Sequence, residues 1–123
     1  EEERKLFFTA CDAVVLPHRY GYTTTSGGLR DAIDYGKALV VSDQFHLGHM
    51  VRTYDLGLTF RPEDVEDLRR ALQELFIKPD AWFQEIAARC RMVVEEYSWD
   101  RIGERYRRLF EELAGRTDDS KTT

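Results

Sequence analysis

YTTTSGGLRDAIDYGKALVVSD, residues 22–43, decides the fold. Its first part is rich in hydroxyls and glycine, the composition of a tight loop. Its middle places Leu29, Ala32 and Ile33 on one side and Arg30, Asp31 and Asp34 on the other, the spacing of a short helix. Thr25 or Ser26 is suited to cap that helix, and Gly36 to stand in the left-handed position past its end. Ala38-Leu39-Val40-Val41 then runs apolar without alternation, as buried parallel strands do. A loop, a helix and a buried strand in this order form one half of a strand–helix–strand crossover.

Working outward, DAVVLP (12–17) supplies the preceding strand, and the Leu6, Phe7 and Ala10 face before it reads as a helix. After Asp43, residues 46–54 suit a short helix through Leu47, Met50 and Val51. LGLTF (56–60) is a third strand. The acidic run PEDVED opens a helix with Val65, Leu68, Leu72 and Leu75 on one face. A second helix follows Pro79, carrying Phe83, Ile86, Cys90, Val93, Val94 and Tyr97. A third, capped by Ser98, carries Ile102, Tyr106, Leu109, Phe110 and Leu113. Gly115 is expected to stop it, leaving 116–123 as a disordered tail. The fold class is therefore α/β: a partial Rossmann-like parallel sheet of about three strands with a helical C-terminal tail. Three strands are few for such a sheet, so 1–115 reads as part of a larger α/β unit.

Composition narrows the function. The chain of 123 residues is 42% hydrophobic and 33% charged, which fits one globular domain. A net charge of −5 argues against a general nucleic-acid surface. No stretch is long and apolar enough to span a bilayer, and EEERK is the opposite of a secretory leader, so the expectation is a cytoplasmic protein. Cys11 and Cys90, far apart on apolar helical faces, read as two buried thiols. Trp82 and Trp99 fall at helix-packing spacings and read as core.

The chemistry points to the 23–31 loop and helix start. Backbone N–H groups at the positive end of a helix receive anions, and Gly27 and Gly28 allow close approach beside the hydroxyls of Thr23 to Ser26. The loop leaves the carboxyl end of a parallel strand, where open α/β sheets bind ligands. Neither a P-loop nor a dinucleotide fingerprint is present. Asp31, one turn into the helix, suits vicinal hydroxyls, although from the residues alone a solvated helix carboxylate is the favoured reading. His18 and Arg19 follow the first strand and are candidates for phosphate or sugar contacts; for Arg19 a salt bridge to Asp12 or Asp43 is the alternative. His46 and His49 are spaced like a metal pair but lack a third ligand, so no metal or cofactor is expected.

DAVVLPHR, TSGGLRDAIDYGKALVVSD, DLGLTF and YSWDRIGERYRRLFEEL together resemble the second half of the C-terminal domain of GT-B glycosyltransferases. The likeness runs from about Glu3 to Leu113, and the group it approaches is the retaining, nucleotide-sugar-dependent one. The resemblance implies an enzyme that transfers a hexose from a nucleotide diphosphate sugar to an acceptor. The nucleotide-sugar donor would be the ligand. An N-terminal acceptor domain of the same protein would be the partner, and the isolated chain would be inactive. It assigns Ser26, Gly27 and Gly28 to the donor diphosphate and Asp31 to the donor ribose. The family's Glu-x(7)-Glu motif puts its first carboxylate, the sugar contact, at Thr23. Two departures stand out: Asp31 is one methylene shorter than the family's Glu, and Thr23 removes the charged acceptor. QFHLGHM replaces a Gly-rich loop and retains only Gly48. A non-catalytic regulatory or interaction module of the same descent is the second expectation, and a signalling receiver with Asp43 as phosphoacceptor a third. A dimer covering an exposed sheet edge belongs to either of the first two.

Overall fold

The computed structural model describes the backbone of residues 1–21 and 27–121 and the side chains of 1–21 and 27–116. The chain forms two compact units, Glu1–Val93 and Val94–Thr123.

The first unit is built on three parallel strands, β1 (Ala13–Leu16), β2 (Ala38–Ser42) and β3 (Gly57–Phe60), in the spatial order β1-β2-β3. Val15 pairs with Val40 and Val40 with Leu58, so the strands stay level across the sheet. β2 is central and buried throughout, which explains its unbroken apolar run. α1 (Glu2–Ala10) precedes β1; α2 (Gly27–Asp34) and α3 (Phe45–Tyr54) make the two crossovers; α4 (Val65–Phe76) and α5 (Asp80–Glu96) follow. This is the expected α/β class, with the three strands read from sequence.

Alternation along β2 divides the core between the two faces of the sheet. Leu39 and Val41 pack with Leu29, Ile33, Leu47 and Val51 of α2 and α3 and with Ile86 and Cys90 of α5. Val40 turns the other way, onto Phe60, Ala71 and Leu75. Burial pushes the Cys90 thiol up to about 11. Cys11 is only half-buried, its thiol donating to the Phe8 carbonyl at 3.5 Å, and both cysteines are free.

Two glycines have conformational work here. Gly36, at φ 70°, closes α2: its N–H donates to the Ile33 carbonyl and that of Lys37 to the Ala32 carbonyl, at 3.1 and 2.8 Å. Gly57, at φ 156°, opens β3 so close to β2 that a Cβ would stand 2.7 Å from the Leu39 backbone nitrogen.

Several helix faces differ from expectation. On α4 the buried residues are Ala71 and Leu75; Leu68 and Leu72 are half-buried, and Val65 is exposed. Leu75 is thus buried as expected and Leu68 and Leu72 pack against the same cluster, while Ala71 is a buried residue outside the expected stripe. On α1 Phe8 reaches the core, while Leu6 and Phe7 are exposed. Trp82 packs into both clusters, as expected, whereas Trp99 is exposed. Val94 and Tyr97 are exposed.

The second unit is dominated by α6 (Trp99–Lys121). Ser98 caps it, its Oγ accepting from the Arg101 N–H at 3.3 Å. Arg107 bridges Glu104 and Glu111 along the charged face, as i,i+3 and i,i+4 spacing allows. Tyr106, Leu109, Phe110 and Leu113, expected to be buried, are exposed. The helix runs through Gly115 rather than stopping there and covers most of the stretch expected as a disordered tail. Gly115 takes no left-handed φ, and a glycine within a helix costs only about 1 kcal/mol relative to alanine.

Candidate functional site

The carboxyl ends of the three strands gather the loop after β1, the start of α2 and the Ser42-Asp43-Gln44 turn. Gln44 organises this end. Its side chain is buried, and its Nε2 donates to the carbonyls of Arg19 and His18 at 2.6 and 3.2 Å. Its Oε1 accepts from the Gly21 N–H at 2.9 Å. One side-chain amide thus satisfies three backbone groups of a loop that has no ladder partner of its own.

Gly27 and Gly28 are the first residues of α2, where N–H groups lack intrahelical acceptors. Among the described residues a Cβ on Gly27 would meet no atom within 4 Å. Asp31, one turn further, is half-buried and forms an ion pair with Arg4 of α1, from Nη2 to Oδ1. That contact holds the Arg4 guanidinium above its ordinary pKa. Thr23 and Ser26, the expected sugar and phosphate residues, lie outside the described residues.

The other candidates divide. His18 is half-buried, with its carbonyl held by Gln44. Arg19 is exposed, and among the described residues its side chain makes no ion pair with Asp12 or Asp43. Asp43 pairs instead with Arg52, in the last turn of α3, over Gly48. A Cβ on Gly48 would lie 2.8 Å from Arg52 Nη1, which gives this glycine a structural reason to be there. Lys37 points away from the site, its Nζ donating to the Thr9 carbonyl at 3.4 Å. His46 and His49 are exposed, and no group of three metal-ligating side chains forms among the described residues.

Sequence reading passed over Arg4, Gln44 and Phe45. Arg4 is 27 positions from its partner, a separation no periodicity reports. Gln44 follows directly on the Ser-Asp end of β2, the one signal that could have marked it. Phe45 opens α3 at φ 45°, a left-handed conformation unusual for a bulky residue, and is exposed at this same end of the sheet.

The chain thus contains a three-stranded Rossmann-like α/β sheet, and at the carboxyl end of its strands stand a glycine helix start and a carboxylate one turn behind it. Among solved structures it is similar to sucrose-phosphate synthase from Thermosynechococcus elongatus, with a TM-score of 0.70 and 22% sequence identity over 93% of this chain. The chain spans 28% of that protein's length. At such identity the likeness establishes the fold. No protein-family model matches the sequence, and no curated protein matches it. No helix among the described residues is long and apolar enough to cross a membrane.

Proposed function

We propose that this chain is the nucleotide-sugar donor-binding part of a retaining GT-B glycosyltransferase. The observation that carries the reading is the placement of Gly27, Gly28 and Asp31 on α2, at the carboxyl end of β1, in a fold shared with a sucrose-phosphate synthase. The helix-start N–H groups, with Ser26, take the donor diphosphate and support its charge as the glycosidic bond breaks. Asp31 accepts from the ribose hydroxyls, and Thr23 faces the sugar. His18 and Arg19 flank the phosphates.

The whole enzyme transfers a hexose to an acceptor held by a further domain of the same protein, preceding the partial donor domain of residues 1–115. The free edge of β1 and the exposed Leu6, Phe7 and Val15 beside it suit either that missing structure or a dimer. Two free thiols agree with a cytoplasmic setting. The isolated chain binds donor and transfers nothing.

Titration with UDP, GDP and ADP, read by calorimetry and thermal shift, tests this reading. Saturable binding of one nucleotide, lost in Asp31→Ala, is the expected result. A folded sample indifferent to all three nucleotides would favour the second reading, a non-catalytic module of glycosyltransferase descent. The observation in favour of that reading is Thr23, an uncharged residue where the motif has a carboxylate.

A further inference from the structure

We propose that Arg4 belongs to the donor site: it neutralises the Asp31 carboxylate and fixes its rotamer, so that a diphosphate is tolerated one helical turn away. This inference rests on the reading of Asp31 as the ribose contact.

Three contacts place α1 alongside α2 and parallel to it. Arg4 meets Asp31, the Phe8 ring stacks on Tyr35 with centroids 5.3 Å apart, and the Thr9 carbonyl accepts from Lys37 Nζ at 3.4 Å. Because α2 starts at the carboxyl end of β1, the Arg4 end of α1 is the end nearer the site and the Thr9 end is remote from it.

Electrostatics gives the pair its purpose. Asp31 stands three residues after Gly28, roughly 5 Å along the helix axis at 1.5 Å per residue. An unpaired carboxylate at that distance repels a diphosphate presented to the helix start. Among the described residues Arg30 pairs with Asp34 at 3.9 Å, Arg52 with Asp43, and Lys37 with the Thr9 carbonyl, while Arg19 is exposed and is the residue proposed to flank the phosphates. Arg4 is the cation that meets this carboxylate, and it does so through Oδ1. A carboxylate accepts on both oxygens, which leaves Oδ2 for a hydroxyl donor. The same residue thus accepts from a neutral diol without setting a net negative charge beside the phosphates.

The discriminating experiment compares nucleoside diphosphates with their parent nucleosides on the whole chain, using wild type, Arg4→Gln, Arg4→Lys and Asp31→Ala. Arg4→Gln is expected to weaken the diphosphate roughly tenfold while the nucleoside changes by less than about threefold, as loss of a charge-assisted contact near an anion predicts. Arg4→Lys retains the charge and should recover most of the diphosphate affinity, which also answers any loss of folding in Arg4→Gln. Equal weakening of both ligands in Arg4→Gln would reduce Arg4 to a packing residue. Tighter binding in that variant would mean that the pair blocks the site, and either result overturns the proposal. If wild type binds no nucleotide, the donor-site reading itself falls. If wild type binds and Asp31→Ala does not, while Arg4→Gln is unchanged, only the role of Arg4 is lost.

Discussion

Gln44 holds Arg19 by its backbone rather than its charge, with Nε2 donating to the Arg19 carbonyl at 2.6 Å. The same amide also serves His18 and Gly21, so the loop after β1 is pinned to the end of β2 by one buried side chain. Gln44→Ala leaves these groups without their partner and should destabilise the chain by about 1–3 kcal/mol. Gln44→Glu is the sharper variant, because it replaces the donor with a second acceptor facing two carbonyls. It should cost more than alanine at neutral pH and recover as the pH falls and the carboxyl is protonated. Urea unfolding at pH 7 and pH 5 measures both, and a smaller loss for Gln44→Glu at pH 7 would contradict the geometry.

Gly57 is confined by the Leu39 backbone. Gly57→Ala forces a Cβ to 2.7 Å from the Leu39 nitrogen and should separate β3 from β2, with a loss of more than about 3 kcal/mol. Gly103→Ala, on α6, meets no atom within 4 Å and should instead stabilise that helix by up to about 1 kcal/mol. Circular dichroism melts of the two variants should move in opposite directions.

Asp67 sets an acid limit on α4. The Arg70 side chain and the Arg61 N–H, at 2.7 and 2.6 Å, hold its carboxyl at about 2 against an ordinary 3.8. Its own N–H donates to the capping Asp64 at 2.9 Å. Between those two pKa values the unfolded chain binds the proton that the folded chain rejects, so stability rises with pH there. The contribution is complete above pH 3.8 and is lost as the pH falls toward 2. Asp67→Asn should flatten the acid limb of stability in this window while leaving its slope between pH 5 and 7 unchanged, as denaturant titrations at stepped pH would record.

The α4 helix touches the sheet through Ala71 and Leu75. Leu75→Ala should therefore cost about 2–5 kcal/mol, as large-to-small core changes do. Phe76→Ser, next in sequence and 82% exposed, should stay within about 0.5 kcal/mol. Comparable losses in the two would mean that the face carrying Leu75 does not hold α4 to the sheet.

The legible parts of the fold were those in which one local pattern admits one structure. Ala38 to Ser42 reads as a central strand because an unbroken apolar run must be covered on both faces, and so it is. Ser98 was legible as a helix start because a cap is a local bond, and the start of α4 because an acidic run suits a helix N-terminus. The buried face of α4 was legible only in part: Leu75 of the expected stripe is buried, but Val65 of that stripe is exposed and Ala71, outside it, is buried. At the site, Gly27, Gly28 and Asp31 follow one another in sequence on one helix and could be read together. Arg4 and Gln44 could not, because each meets partners far along the chain.

The sequence by itself determined the order of strands and helices, the parallel sheet and the glycine helix start, since these follow from short-range periodicity, caps and turns. Tertiary structure alone decided which helix face is buried, that Asp43 turns to Arg52, that Gln44 carries the loop after β1, and that Asp31 meets Arg4. The physical reason is the same for the helix face, Gln44 and Asp31: each depends on where distant segments are brought together by packing, whereas Asp43 and Arg52 lie nine positions apart and meet through the local turn into α3.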